Sequence, residues 1–122
     1  MRTPLLDPTL QGLANALTVH NRRHTVLATN LANVETPGYR AQDVDFRTEL
    51  RRAFQAPEVG GTAKVDPRVI DDDDVAPRAD GNTVDLDMQM AELSDNAGRY
   101  VALTRILSKR LGLLRSAIEG TR

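Results

Sequence analysis

The sequence contains no cysteine and no tryptophan, and its aromatic residues are two phenylalanines and two tyrosines. Without cysteine the chain has neither a disulfide framework nor a thiolate metal site. Because large aromatic rings are so scarce, a folded core has to be built from Leu, Val, Ile and Ala. With 122 residues, the composition favours one small domain made of helices.

Charge of one sign is also not in excess, since 16 basic and 17 acidic residues give a net charge of -1. Such a balance creates no field that would concentrate a polyanion, so nucleic acid is not an expected partner. No run of about 18 apolar residues occurs, and direct lipid insertion is not expected. Pro4, Asp7 and Pro8 interrupt any apolar stretch near Met1, so we expect no cleavable signal peptide.

The last third of the chain carries a long apolar repeat whose spacing alternates between four and three. Its members are Leu86, Met90, Leu93, Ala97, Tyr100, Thr104, Leu107, Leu111, Leu114 and Ile118. This heptad spacing predicts a helix of roughly 50 Å that lies along other helices. A second apolar stripe follows on an adjacent face: Leu103, Ile106, Leu113 and Ala117. One partner helix covers one stripe, so the pattern predicts neighbours on two sides, with an ordinary core helix of a small bundle as the alternative.

The first third repeats this pattern. Its stripe comprises Leu10, Leu13, Leu17, His20, His24, Leu27, Leu31 and Val34, and leaves Arg23 outside. Asp7 followed by Pro8 is typical of an N-cap with proline in the first turn. Two heptad helices at the two ends of one chain predict an antiparallel coiled-coil hairpin that buries one stripe of each helix.

His20 and His24 are four residues apart, which is the spacing that places two imidazoles on one metal ion. No glutamate lies between them as in a metalloprotease helix, and a third ligand would have to come from a distant acidic residue. The alternative is a pair of polar residues that fix the register of the helix pair, and we expect no metal site.

A turn has to follow the first helix near Glu35, because Pro37 disfavours the helical conformation of Thr36. Pro37 and Gly38 suit the two central positions of a type II turn. Asn30 and Asn33 have side-chain amides that can bond the backbone groups left unpaired where the helix ends.

This segment resembles the motif near the N-terminus of the rod, hook and hook-associated axial proteins of the bacterial flagellum. The matching positions are Asn30, Asn33, Thr36, Pro37, Gly38, Tyr39 and Phe46. The C-terminal third is similar to the short proximal-rod members of the flagella basal body rod protein family. That likeness is carried by residues 81–87, 90–93, Asn96, Tyr100, 102–104 and 114–118.

The resemblance implies a structural subunit of the basal-body proximal rod, a hollow shaft that transmits torque and conducts exported subunits. It implies that the subunit belongs to a rod that spans the periplasm. The implied partners are copies of itself, other rod proteins, membrane-ring and rod-junction proteins, and the flagellar type III export apparatus. It also implies export-gate recognition of Phe46 with Leu50, although simple packing explains that spacing equally well. Catalysis and a cofactor are not implied.

The middle of the chain is less regular. Residues 43–54 are predicted to form a short helix capped by Asp45, with Phe46, Leu50 and Phe54 on one face. Residues 55–82 are punctuated by proline and glycine and predict an irregular loop, with at most a small β-hairpin near residues 65–70. The run Asp71–Asp74 lacks the glycine and glutamate of a calcium-binding EF-hand, so we expect a solvated loop.

The sequence therefore predicts an all-α fold with an N-terminal helical segment at 1–36, a connecting segment at 37–84 and a C-terminal helical segment at 85–122. The candidate assembly residues of the last helix are Asn96, Tyr100, Leu103, Thr104, Ile106, Leu107, Leu111, Leu114 and Ile118. We expect the terminal helices to gain order on assembly. The alternatives are another flagellar axial or secretion-needle-like subunit, and a small metal-binding helical bundle.

Overall fold

The computed structural model describes residues 7–55 and 65–120. Within those ranges the elements are α1 (Pro8–Ala32), β1 (Gln42–Val44), α2 (Phe46–Gln55), β2 (Val69–Asp71) and α3 (Leu86–Glu119). The fold is mostly helical with one small two-stranded antiparallel sheet, which confirms the coarse form of the predicted class. None of the described helices combines the length and the apolarity that crossing a membrane requires.

Helix α1 begins as predicted. Asp7 Oδ1 accepts from the Thr9 N–H at 3.1 Å, and Pro8 occupies the first turn. The helix ends at Ala32, earlier than the predicted end near Glu35. The N–H of its C-cap, Asn33, bonds carbonyls of the last turn.

Helix α1 is covered on more than one side. It packs against α3, α2 and β1, and its buried residues are Leu10, Gly12, Leu13, Ala16, Val19, His20, Arg23, Val26, Leu27 and Asn30. Gly12, Ala16, Val19, Val26 and Asn30 recur at helical spacing outside the predicted stripe. The prediction that Arg23 lies outside the packed surface is wrong: Arg23 is only 4% exposed and belongs to this second stripe.

Helices α1 and α3 run antiparallel. In three contacts between them, residues later in α1 meet residues earlier in α3. The contacts join Asp7 to Arg110, His20 to Asn96 and Asn30 to Gln89. Asp85 Oδ1 caps the start of α3 by accepting from the Met88 N–H at 3.0 Å. Knobs-into-holes packing along this pair stays a prediction.

The face that α3 turns toward α1 differs from the predicted stripe. The buried residues of the described helix are polar, Gln89 and Asn96, whereas the predicted positions Met90 and Leu111 are 56% and 47% exposed. Buried amides need partners, and the polar groups of α1 supply most of them. The heptad pattern identified the helix correctly but not the side on which α1 packs.

The middle of the chain also differs in part. Residues 42–44 form a strand, so the predicted helix over 43–54 begins only at Phe46. Asp45 Oδ1 lies 3.5 Å from the Thr48 N–H, at the position of the predicted cap. Strand β1 pairs antiparallel with β2, Val44 opposite Val69. The pair is not a β-hairpin, because α2 lies between its strands.

Gly38 and Gly81 have φ values of 73° and 82°, which side chains disfavour. A Cβ on Gly81 would also lie 3.4 Å from the Gly38 Cα.

We predict that Gly81→Ala lowers the free energy of unfolding by about 1–2 kcal/mol. The matched control is Gly98→Ala, in helix α3 with open space around a new Cβ, which should raise it by roughly 0.5–1 kcal/mol. Urea unfolding checks both, and equal effects of the two changes would contradict the assignment.

Candidate functional site

The motif that carries the family resemblance forms a turn directly after α1. Gly38 has the positive φ that the third position of a type II turn requires. The Tyr39 N–H donates to the Thr36 carbonyl at 3.3 Å and closes the turn.

Asn30 is the fully buried centre of this motif. Its Nδ2 donates to the Gln42 carbonyl at 2.6 Å and to Gln89 Oε1 at 2.9 Å. Its Oδ1 accepts from the Tyr39 hydroxyl at 3.1 Å and from the Gln42 N–H at 3.0 Å. Burial raises the pKa of Tyr39, which keeps the phenol protonated and able to donate. One amide thereby joins α1, the turn, β1 and α3.

Asn33 makes the local bond that its position predicts. Its Nδ2 donates to the Thr29 carbonyl at 2.8 Å, and its Oδ1 accepts from the Thr36 hydroxyl at 3.1 Å. The carbonyls beyond the end of the helix, however, are not bonded by the amides of Asn30 and Asn33.

Those carbonyls are bonded instead by residues 78–84, which we call the capping segment. Asn82 Nδ2 contacts the carbonyl oxygens of Asn33, Val34 and Thr36 at 2.9, 3.1 and 2.8 Å. Its Oδ1 accepts from the Val84 N–H at 2.7 Å. Sequence reasoning missed this role, and the signal available was an asparagine directly after a turn glycine.

The capping segment also binds the turn through its backbone. The Gly38 N–H donates to the Asp80 carbonyl at 2.9 Å, and the Thr83 N–H donates to the Tyr39 carbonyl at 3.0 Å. Thr83 Oγ1 accepts from the Ala41 N–H at 2.8 Å. The end of α1 is thereby fixed to the residues that lead directly into α3.

Phe46 and Leu50, the candidate export-recognition pair, are half-buried in the core. They pack on a cluster centred on Val19, Val26 and Val44. The guanidinium of Arg23 lies 4.2 Å from the centre of the Phe46 ring, within cation–π range. Phe54, on the same helix, is largely exposed.

Arg23 itself is held by Asp43 through two hydrogen bonds, Nε to Oδ1 at 2.9 Å and Nη2 to Oδ2 at 3.0 Å. Burial disfavours its charge, but the hydrogen bond and the charge of Asp43 outweigh this and raise the pKa of Arg23. The guanidinium therefore stays positively charged and is held against Asp43 of β1. The available signal that Arg23 lies inside was its spacing of four residues from Val19 and three from Val26.

His20 and His24 line the same groove but differ in burial. His20 is buried, its Nδ1 lies 2.7 Å from Asn96 Oδ1, and Asn96 Nδ2 donates to the His20 carbonyl at 2.9 Å. Because an amide oxygen only accepts, Nδ1 carries the proton. His24 is exposed at the rim of a groove of about 280 Å³, which Tyr100 also lines. In residues 7–55 and 65–120, no three His, Asp or Glu side chains are grouped closely enough to hold a metal ion.

The candidate assembly residues of α3 fall into three environments. Asn96 is buried against His20. Leu103, Leu107 and Leu114 are half-buried. Tyr100, Thr104, Ile106, Leu111 and Ile118 are exposed.

The N-terminal end of α1 also contacts α3, toward the C-terminal end of α3. Arg110 Nε donates to Asp7 Oδ2 at 3.2 Å. This bond, together with the bond from the Thr9 backbone, holds the pKa of Asp7 below its usual range. The contact therefore stabilises the folded chain at pH values above the ordinary pKa of aspartate. This stabilisation is lost as acid protonates Asp7.

We predict that Asn82→Ala lowers the free energy of unfolding by about 2–4 kcal/mol, because it removes the amide that bonds three carbonyls after α1 and the N–H of Val84. The matched control is Asn33→Ala, which removes an asparagine of the same motif with one local backbone bond and should cost about 1 kcal/mol or less. Denaturant midpoints compare the two. A smaller loss for Asn82→Ala than for Asn33→Ala would contradict the assigned capping role.

The sequence matches no protein-family model. It is similar along most of its length to curated proteins of one name. The flagellar basal body rod protein FlgB of Cereibacter sphaeroides is 34% identical over 116 residues, covering 88% of this chain and 91% of that protein. The FlgB protein of Salmonella typhimurium is 30% identical over 132 residues (94% and 96% covered), and that of Escherichia coli is 33% identical over 127 residues (87% and 89%). With this identity over nearly the whole of both chains, on a helical fold whose turn carries the motif of flagellar axial proteins, the chain belongs to the FlgB family of flagellar basal body rod proteins.

Proposed function

We propose that this chain is a structural subunit of the flagellar basal-body rod and that α3 supplies its principal surface for neighbouring subunits. The observation that carries the proposal is the amount of apolar side chain that α3 exposes. Nine large apolar residues of the helix are exposed: Leu86, Met88, Met90, Tyr100, Val101, Ile106, Leu111, Leu113 and Ile118. An apolar surface of this extent is typical of a protein–protein contact.

The uncovered surface follows from how α1 and α3 are aligned. Asp7, the first described residue, reaches Arg110, so Leu111–Glu119 extend about 13 Å past the start of α1. Over that stretch Leu114 is half-buried and Leu113 is 64% exposed. We expect this end of α3 to gain order when it packs against other subunits.

The exposed residues lie on two flanks of α3. Leu111 and Leu113 are two positions apart, which is about 200° around a helix. Met90 lies on the flank of Leu111, and Ile106 on the flank of Leu113. Two different apolar flanks favour contacts between unlike surfaces, which extend into a helical assembly rather than closing into a dimer.

In this proposal the neighbours pack on α3 as a coiled coil and form the hollow shaft of the proximal rod, in which many helices share the torque. The partners are copies of this chain, other rod proteins and the proteins of the membrane ring and the rod junction. The rod spans the periplasm, and the chain reaches it through the flagellar type III export apparatus. The family membership and the exposed flanks of α3 support this role, which involves no catalysis and no cofactor.

We predict that Leu111→Glu abolishes motility and rod assembly while the chain is still exported, because a charge on the exposed flank opposes the burial of α3 by its neighbours. Ser116→Glu is the matched control: it adds the same charge to an exposed position near the same end of the helix, outside both flanks. Swimming assays and recovery of rod protein in isolated basal bodies measure the outcome. If Ser116→Glu were as harmful as Leu111→Glu, α3 would not be recognised through its apolar flanks.

Phe46 and Leu50 are proposed as the pair that the export gate recognises. Since both pack in the core of the folded chain, recognition has to take place before folding. Phe46→Ala should then reduce export several-fold in addition to lowering stability.

The control is Val44→Ala, which removes a fully buried member of the same cluster and leaves the pair intact. We expect it to lower stability by about 1–3 kcal/mol without reducing export. Immunoblots of exported and cell-retained chain distinguish the two variants. Equal export of both would mean that Phe46 serves packing alone.

A further inference from the structure

Among the described residues, an unusual group of charges surrounds Arg23, where α1, α3 and the sheet meet. Asp43, on β1, accepts two hydrogen bonds from the guanidinium and a third from the Val44 N–H at 2.7 Å. Glu92, on α3, approaches the same guanidinium, with its Oε2 3.7 Å from Arg23 Nη2. One buried positive charge therefore faces two carboxylates.

The Glu92 side chain is 28% exposed, but one of its two carboxylate oxygens is buried without a hydrogen bond. Its Oε2 is buried and has no donor within hydrogen-bonding distance. Arg23 Nε and Nη2 already donate to Asp43. The 3.7 Å between Arg23 Nη2 and Glu92 Oε2 is too long for a hydrogen bond. An ionised carboxylate oxygen that is buried without a donor costs much more free energy than a protonated carboxyl in the same place.

The surrounding negative charges also favour the protonated form of Glu92. Asp43 on β1 and Asp72 and Asp74 after β2 are all negative and close enough to act on Glu92, and only the charge of Arg23 opposes them. On α3, Asp95 also acts on Arg23 but is itself paired with Arg99. Helix α2 contributes the Phe46 ring, which lies against Arg23 and Arg99.

We propose that Glu92 is a proton-responsive contact between α3 and the sheet: at mildly acidic pH it takes up a proton, which removes the surplus negative charge beside Arg23 and Asp43 and tightens the packing of α3 on α1. This goes beyond assembly of the rod and does not depend on it. Burial, followed by the charge of Asp43, raises the pKa of Glu92, which agrees with the geometry.

The direction of the pH dependence follows. A carboxyl whose pKa is higher in the folded chain contributes stability below its unfolded pKa, and that contribution is lost as pH rises through the folded value. Glu92→Gln imitates the protonated form. It should therefore raise the melting temperature of the full chain by about 2–4 °C at pH 7, and this advantage should vanish as the pH approaches 4.

The matched control is Glu119→Gln, which removes a carboxylate from the same helix where it is exposed and paired with Arg115. Its effect at pH 7 should be zero or slightly destabilising, because it removes a surface ion pair. Circular dichroism melts of both variants between pH 4 and pH 7 make the comparison. A Glu92→Gln chain that is no more stable than the unsubstituted chain at pH 7 would overturn the proposal.

A direct titration keeps the proposal testable if a variant folds poorly. In carbon-detected NMR of the unsubstituted chain, the Glu92 carboxyl should titrate above the value of a free glutamate. In Asp43→Asn, where Arg23 no longer has its stronger partner, the same carboxyl should titrate at lower pH. Titration of Glu92 at or below the free value in the unsubstituted chain would show that Arg23 dominates, and would refute the proposal.

Discussion

The structure depends on one constraint: α1 packs against α3, α2 and β1, whereas α3 has α1 as its main neighbour. A helix with neighbours on several sides can bury most of its apolar residues, and α1 does so with Leu13, Val19 and Leu27. A helix with one neighbour buries one face. The 34 residues of α3 therefore leave apolar flanks in contact with solvent, and these flanks are what suits the chain to an assembly.

Polar pairs define how the two long helices are aligned. The contacts of His20 with Asn96 and of Asn30 with Gln89 are buried and specific, so a shift of one helical turn would break both. Apolar contacts alone would tolerate such a shift more easily. Placing the amides on the inner face fixes the register within the subunit and leaves Leu111, Leu113 and the methionines of α3 exposed.

The sequence predicted the helices and the turn well, because their signals are local. Asp7, Pro8 and Asp85 mark helix starts, and Pro37 with Gly38 marks the turn, through the conformations that these residues favour. The inner face of α3 could not be predicted in the same way. The heptad pattern records where apolar residues lie, not which partner covers them, and here the apolar stripe is mostly left to solvent while Asn96 is buried. Arg23 and Asn82 were missed because their partners are distant in sequence: charge and amide groups are buried only when the fold supplies a matching group.

The bonds from Asn82 to the end of α1 span 46 to 49 positions of the chain. Contacts between distant segments form late, since the intervening chain has to be brought together first. A chain in which residue 82 is not yet free to approach residues 33–36 cannot complete this cap. The first helix therefore stays open at one end until most of the polypeptide is free to fold, so completion of the fold is a late step.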